Sequence, residues 1–109
     1  MHELAITQCI VDAACERADG RPVSRVRVRV GRLCAVVPDS MLFCFELVTE
    51  GTVMEGALLE IDEEDARAHC NSCDREFVMP DAILLCPCGS ADVEVLTGRD
   101  LRILSMETR

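Results

Sequence analysis

Apolar and polar positions alternate with two different periods along this 109-residue chain, and each change of period marks an element. Over residues 3–18 the apolar side chains recur at three- and four-residue spacing. Ile6, Ile10, Ala13 and Ala14 form one broad stripe with Leu4 and Cys9 beside it, the pattern of a helix. Gly20, taking the left-handed position, and Pro22 supply its stop. Val23–Val30 switches to a period of two. Val26, Val28 and Val30 fall on one face and Arg25, Arg27 and Arg29 on the other, which predicts a strand with one buried side. Gly31 and Pro38 punctuate the following turn. Residues 39–50 predict a second helix, with Leu42, Phe43, Phe45 and Leu47 as apolar bulk and Gly51 as its stop. A second strand is expected over 57–63, with Leu59 and Ile61 on one face and Glu60 and Asp62 on the other. A last strand is expected over 100–107, which is too apolar for a tail. The arginine face either pairs across strands with Glu60 and Asp62, at ~0.2–1 kcal/mol per pair, or docks an acidic partner.

Between those two strands, residues 66–94 hold four of the eight cysteines in a short, turn-rich stretch that buries little core by itself. Cys70-Asn-Ser-Cys73, then twelve residues, then Cys86-Pro-Cys88-Gly-Ser90 reads as a four-thiolate zinc site built from two knuckles. Pro87 and Gly89 suit a tight turn. The second knuckle has a one-residue gap where two are usual, so His69, adjacent to Cys70, stands as an alternative ligand to one of its thiols. The predicted fold class is α+β: a small antiparallel sheet of about three strands with two helices, plus an inserted zinc-ribbon-like module. The predicted division is an α/β domain of residues 1–65 and 95–109 and an inserted module of residues 66–94. Cys9, Cys15, Cys34 and Cys44 lie in apolar stretches and are expected as core thiols.

Composition narrows the functions. Eleven basic residues, all arginine, against twenty acidic ones give a net charge of −9, and aromatics are 3%. Nucleic acid wants a basic face and stacking platforms, so it is excluded as a partner. No apolar run approaches the ~20 residues of a membrane span, and no signal peptide is recognisable, so a cytoplasmic protein with metal-ligating or buried thiols is expected. Two histidines, no nucleophile–base arrangement and no phosphate loop argue against an enzyme.

Met1-His2-Glu3 can chelate a metal without a folded pocket. An α-amine, the backbone nitrogen of residue 2 and a His2 Nδ1 close two fused rings around one ion, and Glu3 adds an oxygen. Planar nitrogen-rich coordination suits Ni(II) or Cu(II) and suits Zn(II) poorly. Met1 is expected to be retained before the bulky His2, so the amine is its own.

With these motifs in order, the chain resembles the HypA/HybF family of hydrogenase-maturation nickel metallochaperones. The resemblance rests on Met1-His2-Glu3 opening a helix, Phe43-x-Phe45-Glu46, Cys70-x-x-Cys73 with Phe77 after it, Cys86-Pro-Cys88-Gly-Ser, and Gly98-Arg-Asp-Leu-Arg-Ile-Leu-Ser-Met-Glu107. It implies Ni(II) bound by the Met1 amine, the His2 backbone nitrogen and imidazole, and Glu3, and Zn(II) bound by Cys70, Cys73, Cys86 and Cys88. It implies delivery of nickel to the [NiFe]-hydrogenase large subunit together with the GTPase HypB, by a monomer or homodimer. An acidic residue before the second helix is implicated near nickel in parts of the family. Asp39 matches it, and its alternative role is a helix N-cap. His69 is a candidate link between the two metal sites. The rival functions are a zinc-ribbon protein-interaction module and a rubredoxin-like electron carrier.

Overall fold

A computed structural model describes residues 2–109. Its elements run α1 (Glu3–Ala18), β1 (Val23–Gly31), a 3-10 turn (Arg32–Cys34), α2 (Pro38–Thr49), β2 (Leu58–Glu64), β3 (Arg67–Cys70), β4 (Arg75–Val78), β5 (Val93–Val95) and β6 (Leu101–Thr108). Two three-stranded sheets result, ordered β2-β1-β6 and β4-β3-β5. Two helices, small sheets and a four-cysteine cluster are the predicted α+β class with a zinc-ribbon-like module.

The chain divides into two compact units: residues through Arg29 with Val36–Asp62 and Arg102–Arg109, and Val30–Ala35 with Glu63–Leu101. In the first, α1 packs against α2. Pro38 opens α2 at the position where a missing N–H is harmless. At the other end of α1, Asp19 takes the left-handed cap (φ 50°) and donates to the Cys15 carbonyl, with Gly20 continuing the turn. The left-handed cap therefore falls one residue earlier than Gly20 alone predicts. The core is Ile10, Val11, Ala14 and Ala18 from α1, Met41 and Phe45 from α2, Val23, Val26 and Val28 from β1, plus Met54 and Leu59.

Helix faces differ from the apolar stripes read in the sequence. On α1 the buried positions are Glu3, Thr7, Ile10, Val11, Ala14 and Ala18, while Leu4, Cys9 and Ala13 are exposed. Burial follows angular position on the helix, and Glu3 and Thr7 continue the stripe although they are polar. On α2 only Phe45 of the four expected apolar residues is buried, beside Met41 and Thr49 at four-residue spacing. The buried Thr49 hydroxyl donates to the Phe45 carbonyl at 2.7 Å. The expectation of core thiols is corrected for the same reason. Cys9 is exposed and Cys15, Cys34 and Cys44 are half-buried, because they sit beside the packed faces or in the 3-10 turn.

Of the two readings of the arginine face, cross-strand pairing is what Arg25 and Arg29 make. Arg25 Nε lies 3.0 Å from Glu60, and Arg29 bonds Asp62 through Nε at 3.3 Å and Nη2 at 3.2 Å.

The second unit gathers a small core of Ala66, Ala68 and Met79, with Leu33, Phe77 and Val95 packed against it. Strands β3–β5 supply Ala68, Phe77 and Val95 to it, and they are three- and four-residue elements too short to show a period in the sequence. Strand β3 pairs antiparallel with β4, Arg67 opposite Val78 through Cys70 opposite Arg75, and with β5 on its other side. The 3-10 turn is held here by Arg32, whose guanidinium reaches Glu63 and Asp65, each at 2.8 Å. The Leu33 N–H donates to the Gly98 carbonyl at 2.8 Å. Gly98 is in the left-handed region (φ +106°), and a Cβ there would meet Ala66 Cα at 2.6 Å, so the close approach itself requires glycine.

Candidate metal centres

Each cysteine knuckle is a turn whose backbone amides aim at sulfur. Cys70 ends β3, and the hairpin into β4 closes with the Asp74 N–H on the Cys70 carbonyl at 2.8 Å, Asp74 adopting φ +58°. In the second knuckle the Gly89 N–H donates to the Cys86 carbonyl and the Cys86 N–H to the Ser90 carbonyl, both at 2.8 Å. Gly89 takes φ +96° to close this turn, and the Cys88 N–H points at Cys86 Sγ from 3.4 Å. The knuckles are tied together beyond the sulfurs. Ser72 and Ser90 hydroxyls bond at 2.7 Å, and Asn71 donates to Asp92 through its backbone at 2.9 Å and its amide at 3.1 Å.

The result brings all four sulfurs within 4.8 Å of one another, with Cys70 and Cys86 buried and Cys73 and Cys88 exposed. Cys70–Cys88 and Cys73–Cys86 are 3.7 and 3.6 Å apart. A tetrahedral ion with ~2.3 Å metal–sulfur bonds sets its ligand sulfurs ~3.8 Å apart, so the spacing fits such an ion. The one-residue gap of the second knuckle, made by Pro87, still delivers both thiols. His69 is not drawn into the cluster; its Nε2 lies 3.1 Å from Asp74 Oδ1.

The thiols are electrostatically unequal. Backbone N–H groups of Cys73 and Ser72 hold Cys70 well below the usual thiol range, at about 6, against the cost of burial. Cys86 is pushed up to about 12: the Cys88 N–H favours its thiolate, but burial and the three neighbouring sulfurs overcome this. One negative charge is welcome among these sulfurs and further ones are not. Four thiolates together therefore require a cation, which is what the donor set suits.

The amino-terminal candidates occupy the start of α1. His2 is exposed, and its carbonyl accepts the Ile6 N–H at 2.9 Å. Glu3 is 8% exposed, and its Oε2 accepts the Val37 N–H at 3.2 Å, tying the first turn of α1 to the residue before α2. Met1 lies outside the described residues. Glu3 and Asp39 share the lining of one open depression of about 420 Å³ with Leu4, Ser40, Phe43 and Cys44. Asp39 is not the cap of α2. Val37 holds that position and Asp39 sits in the first turn, where a carboxylate is favoured by the helix dipole. Ser40 and Cys44 were not legible as site residues, although the 39/43 and 40/44 spacings place these four on one side of a helix. Among the described residues, the four cysteines are the one group of three or more potential metal ligands whose donor atoms converge.

Comparison with known proteins identifies the family. The family profile described as "Hydrogenase/urease nickel incorporation, metallochaperone, hypA" matches residues 1–108. The hydrogenase maturation factor HypA of Nostoc sp. is 42% identical over 107 residues, covering 98% of this chain and 95% of that protein. Its counterpart in Rippkaea orientalis is 44% identical over 108 residues, again covering 98% and 95%. The solution structure of the Ni metallochaperone HypA from Helicobacter pylori superposes with a TM-score of 0.71 at 26% identity, over 99% of this chain and 97% of that one. From the profile and the relatives together, the chain belongs to the HypA family of hydrogenase and urease nickel-incorporation metallochaperones.

Proposed function

We propose that this protein carries Ni(II) at its amino terminus and hands it to the [NiFe]-hydrogenase large subunit, with the GTPase HypB as its partner, in the cytoplasm. The observation that carries the reading is the placement of Glu3, anchored by the Val37 N–H beside Asp39, with the exposed His2 directly before it. The Met1 amine, the His2 backbone nitrogen and imidazole, and Glu3 form the nickel ligand set, and Asp39, which lines the same depression as Glu3, assists. Amine and imidazole nitrogens bind a metal ion only when they carry no proton in the bonding position, so nickel is released as pH falls. Exposure at the end of a helix lets a recipient exchange ligands.

Zn(II) is the resident ion of the second unit, held by Cys70, Cys73, Cys86 and Cys88. When bound it supplies a structural cross-link between the two knuckles. The inserted module is then scaffold and the amino-terminal unit carries the cargo. The protein acts by binding and transfer and performs no catalysis of its own.

Nickel titration by calorimetry tests the reading on the native chain and on one bearing a single extra residue before Met1. The extension removes the amine from the chelate and is expected to weaken binding at least tenfold, as is His2→Ala. Unchanged affinity in the extended chain would falsify the amine chelate.

A further inference from the structure

The four sulfurs of the cysteine-bearing unit fall into two facing pairs. Cys70 and Cys88 are 3.7 Å apart, and Cys73 and Cys86 are 3.6 Å apart. Each pair takes one thiol from each knuckle. Each also joins a buried sulfur, Cys70 or Cys86, to an exposed one, Cys88 or Cys73. Groups other than sulfur hold the knuckles face to face. The Ser72 and Ser90 hydroxyls bond at 2.7 Å, and Asn71 bonds Asp92 through both its backbone N–H and its side-chain amide.

This frame keeps a partner sulfur beside each exposed thiol. A disulfide sets its sulfurs ~2.05 Å apart, so each pair has to close by roughly 1.6 Å. Pairing inside the second knuckle is opposed by its turn: Pro87 alone separates the two thiols and fixes its own φ, and the Gly89 N–H holds the Cys86 carbonyl at 2.8 Å. Once Cys86 bonds Cys73 across the knuckles, Cys88 is the partner left to Cys70.

We propose that the four-cysteine centre is also a peroxide-sensitive modification site, at which Cys70–Cys88 and Cys73–Cys86 disulfides replace the bound ion and take over its cross-linking. The exposed thiolate of each pair, Cys88 or Cys73, attacks one oxygen of hydrogen peroxide. The O–O bond breaks, hydroxide leaves and the sulfur becomes a sulfenic acid. The buried thiolate beside it, Cys70 or Cys86, attacks that sulfur; the S–O bond breaks and a second hydroxide leaves. Each pair thereby gives up two electrons, and one peroxide is reduced to two hydroxides. It is the thiolate that ligates a metal, so the ion is lost as the disulfides form. Chelation removes the cross-link between the knuckles, whereas oxidation exchanges it for a covalent, reducible one. The inference rests on the four-thiolate ion site and not on the nickel reading.

Hydrogen peroxide added to the full-length, zinc-loaded chain tests it, with metal analysis beforehand so that the identity of the ion is read separately. Zinc is expected to pass to a chromogenic chelator, and peptide maps made without reduction should show Cys70–Cys88 and Cys73–Cys86 bonds. Amide exchange at Cys70 and Val95 should stay as slow as in the zinc-bound protein, and a thiol reductant with added zinc should restore the starting state. Cys88→Ser should leave Cys73–Cys86 as the sole bond. Bonds formed inside a knuckle, or to Cys9, Cys15, Cys34 or Cys44, overturn the proposal. Zinc that stays bound through oxidation, or sulfinic acid in place of disulfide, overturns it equally. An oxidised unit whose amides exchange as fast as those of the chelated protein would refute the cross-linking role.

Discussion

At Gly98 one added methyl group meets main chain. Its Cβ would lie 2.6 Å from Ala66 Cα and 2.8 Å from Ala66 Cβ, and its φ of +106° is strained for any other residue. We predict that Gly98→Ala costs about 2 kcal/mol or more, from left-handed strain of ~1–3 kcal/mol plus displacement of the Ala66 backbone. A urea midpoint unchanged from the native value would contradict this. The thiols set a second expectation at this scale. Without metal, the folded state favours the Cys70 thiolate, with a pKa of about 6 against an ordinary 9.0. Its contribution to stability is full above that ordinary value and is lost as pH falls through about 6. Cys86, raised to about 12 from 9.0, resists ionisation in the fold, so stability declines as pH climbs above 9.0. The metal-stripped protein is therefore expected to gain stability from pH 6 to 9 and to lose it beyond. Urea midpoints across that range check the trend, and Cys70→Ser should flatten the lower limb; an identical slope in the variant would refute the assignment.

Elements were legible where one periodic face coincides with one buried face. Strand β1 is the clear case: its valines are buried and its arginines turn outward to Glu60 and Asp62. A double-mutant cycle on Arg29 and Asp62 is expected to give a coupling of about 0.2–1 kcal/mol, with high salt reducing it, since both groups are part exposed. A coupling near zero at low salt would show that the pair is geometric only. The helices were legible in extent but not in facing. A stripe of Ile6, Ala13 and Leu4 looks apolar, yet the buried face of α1 contains Glu3 and Thr7. Side chains satisfied by a distant backbone, as Glu3 is by Val37, leave no mark on local hydropathy. Strands β3–β5 escaped for a different reason: at three or four residues, alternation cannot be told from chance. The cysteines there were legible because ligand spacing is a chemical signal that does not depend on periodicity. The tie between Asn71 and Asp92, and that between Ser72 and Ser90, are contacts of long sequence separation and had no such signature.

Across the whole molecule, the two units depend on different forces. The amino-terminal unit buries a run of large aliphatic residues from two helices and a sheet, including Val11, Val26, Met41 and Met54. The cysteine-bearing unit buries mainly Ala66, Ala68, Met79 and two thiols. Such a core falls short of what ordering the surrounding turns requires, and the four-sulfur cluster is the remaining cross-link. A bound ion would stabilise this unit by its own binding free energy. We predict that a strong chelator destabilises this unit selectively, so that it opens more often while remaining folded for most of the time. Amide exchange should accelerate by orders of magnitude at Cys70, Phe77 and Val95 while Val11, Ala14 and Phe45 in the two helices stay protected. Cys73→Ser should reproduce the effect without chelator, because it removes one donor and leaves a thiol trio too few for a closed tetrahedral site. Uniform loss of protection in both units would mean that they fold as one cooperative body. Retained protection at Cys70 and Val95 after metal removal would mean that the hydrogen bonds between the knuckles suffice alone. The purified protein should also be colourless: a red iron-thiolate spectrum would reassign the resident ion from zinc to iron and favour electron transfer over scaffolding.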